Sequence, residues 1–167
     1  FGTLGSQHRE ESMTLGMTLA LFGAAISIIG GGIGTILGTL HVGSSGAGLV
    51  ASKPKFFGLV LLLSALPSSQ GIYGFLGSIL ILQQTGFLTG AAPDMSMEQG
   101  LVFLAAGLPV ALLGLFSGAG QGKVLQSGLR IIANNPANVG QAVILGVLME
   151  SMAVFGLLLT ILIVNGA

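Results

Sequence analysis

Glu150 lies in "VLMESMAVFG" (147–156), within a run from Val139 to Val164 that holds no other charged side chain. An ionisable group at the centre of a membrane helix costs about 2.5–3.5 kcal/mol on insertion scales. Protonation or a bound cation removes most of that cost, because desolvation disfavours the ionised form and a nearby cation favours it. A second polar island, "LPSSQGIYG" (66–74), spaces Leu66, Ser69, Gln70 and Tyr73 at i, i+3, i+4 and i+7, one face of a helix. Pro67 has no N–H, so the Leu63 carbonyl loses its helical partner and the chain bends. Irregular backbone at membrane depth is tolerated where it is buried or lines a site. Gln121 adds an amide near the end of another apolar run. Oxygen atoms are what hard cations take as ligands. The chemistry open to this set is reversible binding of a cation at one carboxylate. A plainer arrangement uses the same residues: a protonated Glu150 bonded to a neighbouring hydroxyl, and a polar face that glues helices together.

Elements that hold such residues at membrane depth must cross a bilayer, which takes roughly 20 apolar residues in a helix. Four uncharged runs qualify: Ser12 to Leu40, Phe56 to about Leu82, Leu101 to Gly122, and the Glu150 run. With 52% hydrophobic and 6% charged residues, the chain has no inventory for a water-exposed surface, which takes about 25% charged residues. Alternating segments of about ten residues, the mark of a membrane β-barrel, are not seen. The sequence therefore predicts an all-α membrane protein with four transmembrane helices, spanning about 12–40, 56–82, 97–124 and 137–165. Residues 1–11, with the polar "SQHREES" beside them, are expected to form an exposed terminal segment, and a start at Phe1 suggests processing or trimming. The first run is too long and glycine-rich for a cleaved signal peptide.

The four spans are two copies of one unit. Shifted by 82 residues, the second half lies on the first without a gap from Leu19 to Leu82: "ASKPKFFG" (51–58) meets "ANNPANVG" (133–140), and "SILIL" (78–82) meets "TILIV" (160–164). Two tandem helical hairpins follow, at 12–90 and 91–167. They insert the same way round, unlike the inverted repeats common in alternating-access transporters. In this register Glu150 falls opposite Ser68, so one half carries a carboxylate and the other does not. Pro54 and Pro136 fit the first turn of a helix, and Asn135 is a candidate N-cap. Gly30, Gly34 and Gly38 in the first span, and Gly114, Gly118 and Gly122 in the third, let helix backbones approach closely in lipid.

Basic residues set the orientation. Lys53 and Lys55 lie between spans 1 and 2, Lys123 and Arg130 between spans 3 and 4, and Arg9 alone on the other side. The positive-inside rule places the two basic loops in the cytoplasm and both termini outside. Other chemistries are excluded. With no cysteine, there is no disulfide framework or thiol chemistry. "GAGQGKV" (118–124) fails the phosphate-loop spacing: its first position is Ser117 and Val124 follows the lysine. No nucleotide is expected to bind here, and neither a basic patch nor interleaved aromatics suggests nucleic acid.

"LPSSQGIYGF", "LFSGAGQGKV" and "VLMESMAVFGL" together resemble the duplicated proteolipid, the K or c subunit, of V-type rotary ATPases, and in particular the bacterial sodium-translocating branch. The resemblance runs from about Met13 to Val164. It implies a closed ring of identical subunits in the cell membrane, with spans 1 and 3 inside. The ring would turn against a membrane stator subunit that carries an arginine and would meet a central-stalk subunit at its cytoplasmic loops. ATP hydrolysis would belong to other chains, so this chain would not be an enzyme by itself. Carried over, Glu150 is the ion-binding carboxylate. The Leu66 carbonyl, the Ser69 hydroxyl and the Gln70 and Gln121 amide oxygens complete a sodium cage, Tyr73 holds the carboxylate, and Ser68 is a possible extra ligand. The same rotor could carry protons instead. A small proton-coupled four-span exporter would show a substrate cavity and no large ring, and a purely structural membrane protein would not need Glu150.

Overall fold

Prolines set most of the helix boundaries. Pro54, Pro67 and Pro136 each stand within a short 3-10 turn, at Pro54–Phe56, Leu66–Ser68 and Pro136–Asn138. The structure, a computed structural model, describes residues 2–90 and 94–166, with side chains from Leu15 onward. The side chains of the expected exposed segment at 1–11 lie outside the described residues. Among the described residues five α-helices result: α1 Gly2–Ser52, α2 Phe57–Ala65, α3 Ser69–Gln84, α4 Met97–Asn134 and α5 Val139–Gly166. Among the described residues there is no strand. Among the described residues four stretches are long and apolar enough to cross a membrane: Leu15–Ser52, Pro54–Gln84, Met97–Asn134 and Pro136–Gly166. The second of these is α2 and α3 joined through the turn at Pro67.

Local signals fix the remaining ends. Asn135 caps the turn that opens the last span, its Oδ1 accepting from the Ala137 N–H at 3.1 Å. α4 starts on a capping box: Ser96 Oγ accepts from the Gln99 N–H, and Gln99 Oε1 accepts from the Ser96 N–H, both at 3.2 Å. After α3, Gly86 and Gly90 have φ of 70° and 69°, a left-handed backbone that glycine adopts without a Cβ penalty.

α1 and α4 run well past the expected span ends at 40 and 124, to Ser52 and Asn134. His41, Lys123 and Arg130, which follow the charge-free runs ending at Leu40 and Gly122, therefore lie on helices and not in loops. The reason is that no proline interrupts either extension and both are buried on one side. Val42, Leu125, Leu129 and Ile132 pack there with Phe56, Val60, Leu63 and Ala142. A second apolar cluster, from Ala20, Ala24, Ile81, Met95, Phe103, Ala106 and Val164, closes the opposite end.

α1 and α4 form the centre of the bundle and run parallel. Gly16 meets Gly100, Gly23 meets Gly107, Gly34 meets Gly118 and Gly38 meets Gly122, a constant step of 84 residues along both helices. Each contact is backbone on backbone. Lipid tails supply no hydrophobic drive between helices, so close packing of small residues and hydrogen bonds between helices must hold them together. Among the buried polar side chains of the bundle are Ser27, Gln70, Ser117, Gln121 and Thr160. Their hydroxyls tie helices to one another: Ser27 Oγ donates to the Gly74 carbonyl at 2.8 Å and Thr160 Oγ1 to the Ala106 carbonyl at 2.7 Å.

Candidate ion-binding site

Residues from all four spans come together between the two apolar clusters. From the second span, the 3-10 turn at Leu66–Ser68 opens α3, so Ser69, Gln70 and Tyr73 occupy its first turns. Ser69 Oγ lies 3.1 Å from the Leu66 carbonyl oxygen and 3.3 Å from Gln70 Oε1, so three oxygens converge there. Gln70 reaches across to α4, where its Nε2 donates to Gln121 Oε1 at 2.9 Å and to Ser117 Oγ at 3.2 Å. Both glutamines are 0% exposed. The Tyr73 hydroxyl donates to Glu150 Oε1 at 2.8 Å, joining the second span to the fourth. Glu150 is half-buried.

The six residues expected to act together form one cluster of two hydrogen-bonded groups, Leu66, Ser69, Gln70 and Gln121 in one and Tyr73 with Glu150 in the other, with Ser117 between Gln70 and the Met149 carbonyl beside Glu150. Ser68 does not join it. It stands on the exposed side of the turn, and among the described residues its hydroxyl has no hydrogen bond to the cluster. Gln121 keeps one buried amide hydrogen donor, Nε2, without a partner among the described residues. The arrangement is oxygen-rich and holds one carboxylate, with the Gln70 amide fixing which end of Gln121 presents oxygen.

Two further residues shape the site. Ser117 Oγ donates to the Met149 carbonyl at 2.7 Å, holding the backbone next to Glu150 against α4 while also receiving Gln70. Thr35 Oγ1 donates to the Pro67 carbonyl at 2.8 Å and accepts from the Gly71 N–H at 2.9 Å. It stands between a donor and an acceptor that would bond directly in a regular α-helix. The hydroxyl keeps the ladder open beside Leu66 and Ser69 without leaving either backbone group unpaired. A signal for both was present in the sequence: the 82-residue shift lays Thr35 on Ser117 and Pro67 on Met149. Each hydroxyl therefore makes the same contact in its own hairpin.

Thr35→Val removes that bridge at nearly constant volume. An unsatisfied buried backbone group costs about 1–3 kcal/mol, so thermal or detergent denaturation should show a loss of about 2 kcal/mol or more. Thr35→Ser should lose less than half of that. Equal losses in the two variants would show that the methyl group, and not the bridge, carries the effect.

Residues 22–81 and 104–163 each match the family model for the ATP synthase C subunit. The two matches start and end 82 residues apart, at 22 and 104 and at 81 and 163, the step of the internal repeat. The chain is 40% identical over 152 residues to the V-type sodium ATPase subunit K of Enterococcus hirae, covering 91% of this chain and 94% of that protein. It is 38% identical over 150 residues to the A-type ATP synthase subunit K of Methanocaldococcus jannaschii, covering 90% of this chain and 63% of that longer protein. It is 24% identical over 144 residues to the 16 kDa proteolipid of the human V-type proton ATPase, covering 86% and 89%.

Proposed function

From the premise that this chain belongs to the ATP synthase C-subunit family, in duplicated form, we propose that it carries sodium ions through the membrane on Glu150. It is a rotor-ring proteolipid subunit of a V/A-type ATPase, a multi-pass membrane component that is itself non-catalytic. The observation that carries the sodium reading is the chain of contacts from Ser69 through Gln70 to Gln121. It gathers four neutral oxygens, those of Leu66, Ser69, Gln70 and Gln121, from both hairpins into the cluster where Tyr73 holds Glu150. A proton needs one acceptor, whereas a hard cation stripped of water needs several oxygens.

In this reading the ion takes the place that the Ser69 hydroxyl hydrogen occupies between Leu66 and Gln70. The hydroxyl then turns its hydrogen outward and presents a lone pair. Glu150 supplies the balancing charge, and its hydrogen bond from Tyr73 keeps the carboxylate oriented whether or not the ion is present. A loaded site is neutral overall and can face lipid; an empty, ionised one cannot do so cheaply. Release therefore requires a competing cation, and an arginine on a stator subunit fits, since charge-assisted pairing to a carboxylate is strong. The sodium name of the Enterococcus relative supports the same ion. Proton-named relatives of 24–27% identity keep the proton as the second reading.

Sidedness follows from charge. Lys53 and Lys55 lie where the first span gives way to the second, Arg130 lies near the end of the parallel helix α4, and Asp94 and Glu98 lie toward the opposite end. We assign the basic end to the cytoplasm, where a central-stalk subunit would meet the ring, and the termini to the outer side.

Carbodiimide labelling of Glu150 with sodium titrated at fixed pH tests the ion. Carbodiimides attack the protonated carboxyl, so a bound sodium ion that keeps Glu150 ionised should slow labelling in a saturable way. Lower pH should demand more sodium for the same protection. Labelling that follows pH alone, indifferent to sodium, would assign the rotor to protons.

A further inference from the structure

The duplication makes the chain a measurement of its own contacts with a second copy. A residue in the first hairpin and the one 82 positions later occupy equivalent places, in sequence and in space. Thr35 bonds the Pro67 carbonyl as Ser117 bonds the Met149 carbonyl, and Gly46 meets Val60 as Gly128 meets Ala142. One chain therefore already contains a seam between two hairpins. A ring, the assembly that the rotor reading above requires, needs a second seam, from the second hairpin of one copy to the first hairpin of the next. In a ring of equivalent hairpins, the step that carries the first hairpin onto the second also carries the second onto the next copy's first.

The seam inside the chain pairs α1 with α4 at a step of 84 residues. Combined with the repeat of 82, the seam between copies sets each α4 residue against the α1 residue 80 positions earlier in the next copy. Ala105 then meets Ala25, Leu112 meets Gly32, Phe116 meets Ile36, and Gly120 meets Leu40. This step sets exposed positions against exposed positions, as an unfilled seam requires. Ala25, Ile36, Leu40, Ala105, Leu112 and Phe116 are all exposed in the single chain, and a Cβ added at Gly32 would meet nothing within 4 Å.

We propose that copies of this chain pack α4 against the next copy's α1 in this register, with Ala105 on Ala25 and Phe116 on Ile36. The inner wall then alternates two kinds of seam. Within a chain, Gly34 against Gly118 brings the backbones into contact. Between chains, the equivalent place holds Phe116 and Ile36, 69% and 63% exposed before assembly, and their bulk holds the helices further apart. The outer layer changes in the same way. Met152 and Phe155, both exposed, stand where Gln70 and Tyr73 stand, facing Thr39 and Ser68 of the next copy in the places of Gln121 and Glu150. The polar cluster forms only inside a chain, and the seam between chains is apolar.

The chain has no cysteine, so introduced thiols report without background. Two paired variants, A25C/A105C and I36C/F116C, should yield a ladder of cross-linked multimers when the assembled protein is treated with an oxidant or a short bifunctional thiol reagent. F22C/F116C is displaced by 14 residues from the proposed register, about 21 Å along a helix, and should yield none. Absence of a ladder from both in-register pairs in an intact ring, or an equal ladder from the displaced pair, would overturn the register. Native electrophoresis of the same samples separates this outcome from failure of the rotor reading, which would show no large closed assembly at all.

Discussion

Glu150→Gln should abolish ATP-driven ion transport in reconstituted membranes, a loss of at least about 100-fold, while the ring still assembles. Glutamine keeps the length of the side chain and an oxygen that can accept from the Tyr73 hydroxyl, now donated to Glu150 at 2.8 Å. Only the charge is lost. A neutral amide has no charge to balance a sodium ion and no proton to exchange in the working range of pH. Stability should stay level or rise, because an acid at the centre of a membrane helix costs about 2.5–3.5 kcal/mol to insert. A transport-dead, well-assembled variant is therefore the expected pair of results, measured as ion flux beside ring integrity. Flux that survives the substitution would remove Glu150 from the translocation path.

The largest effect on the fold itself should come from Gly118→Ala. A Cβ at this position would lie 2.5 Å from the Gly34 carbonyl carbon, 2.6 Å from its oxygen and 2.9 Å from its Cα. Every one of these is backbone, so no side chain can swing aside and α1 and α4 must separate. Overpacking costs typically 1–3 kcal/mol where neighbours can yield. Here two long helices must move together, so a loss above about 3 kcal/mol is expected. The separation would also draw Gln121, on the same helix, away from Gln70. Gly58→Ala is the matched comparison: nothing stands within 4 Å of its added Cβ, and alanine favours the helix by up to about 1 kcal/mol. Denaturation midpoints of the two variants should move in opposite directions or differ widely. Similar midpoints would show that the glycine contact between α1 and α4 is not what holds the bundle.

Much of this molecule could be read before any coordinates. Charge-free runs mark the spans because the bilayer core excludes charge, and Pro54, Pro67 and Pro136 mark turns because proline lacks a backbone donor. Glu150 and the face from Leu66 to Tyr73 stood out because polar groups at membrane depth are costly and so are rarely idle. The ends of α1 and α4 were harder. His41, Lys123 and Arg130 look like loop residues in sequence, but a helix can carry charge past the membrane when its other face stays buried, as Leu125 and Ile132 do. Thr35 and Ser117 were passed over because a hydroxyl in a membrane helix usually bonds its own preceding turn, and nothing local distinguishes one that bonds a neighbour.

Sequence alone determined the number of spans, their duplication, the single carboxylate and the helical face set beside it. All of these are periodic or compositional, fixed by one helix and its solvent at a time. Only the tertiary structure decided that Gln121 reaches Gln70, that Ser68 stands apart from the cluster, and that Thr35 and Ser117 brace the broken backbone. Those are coincidences of depth between helices. They depend on the register in which α1 lies on α4, and glycines on several faces of both helices would permit more than one register. Close backbone contact at Gly34 and Gly118 selects one of them, and with it the composition of the site.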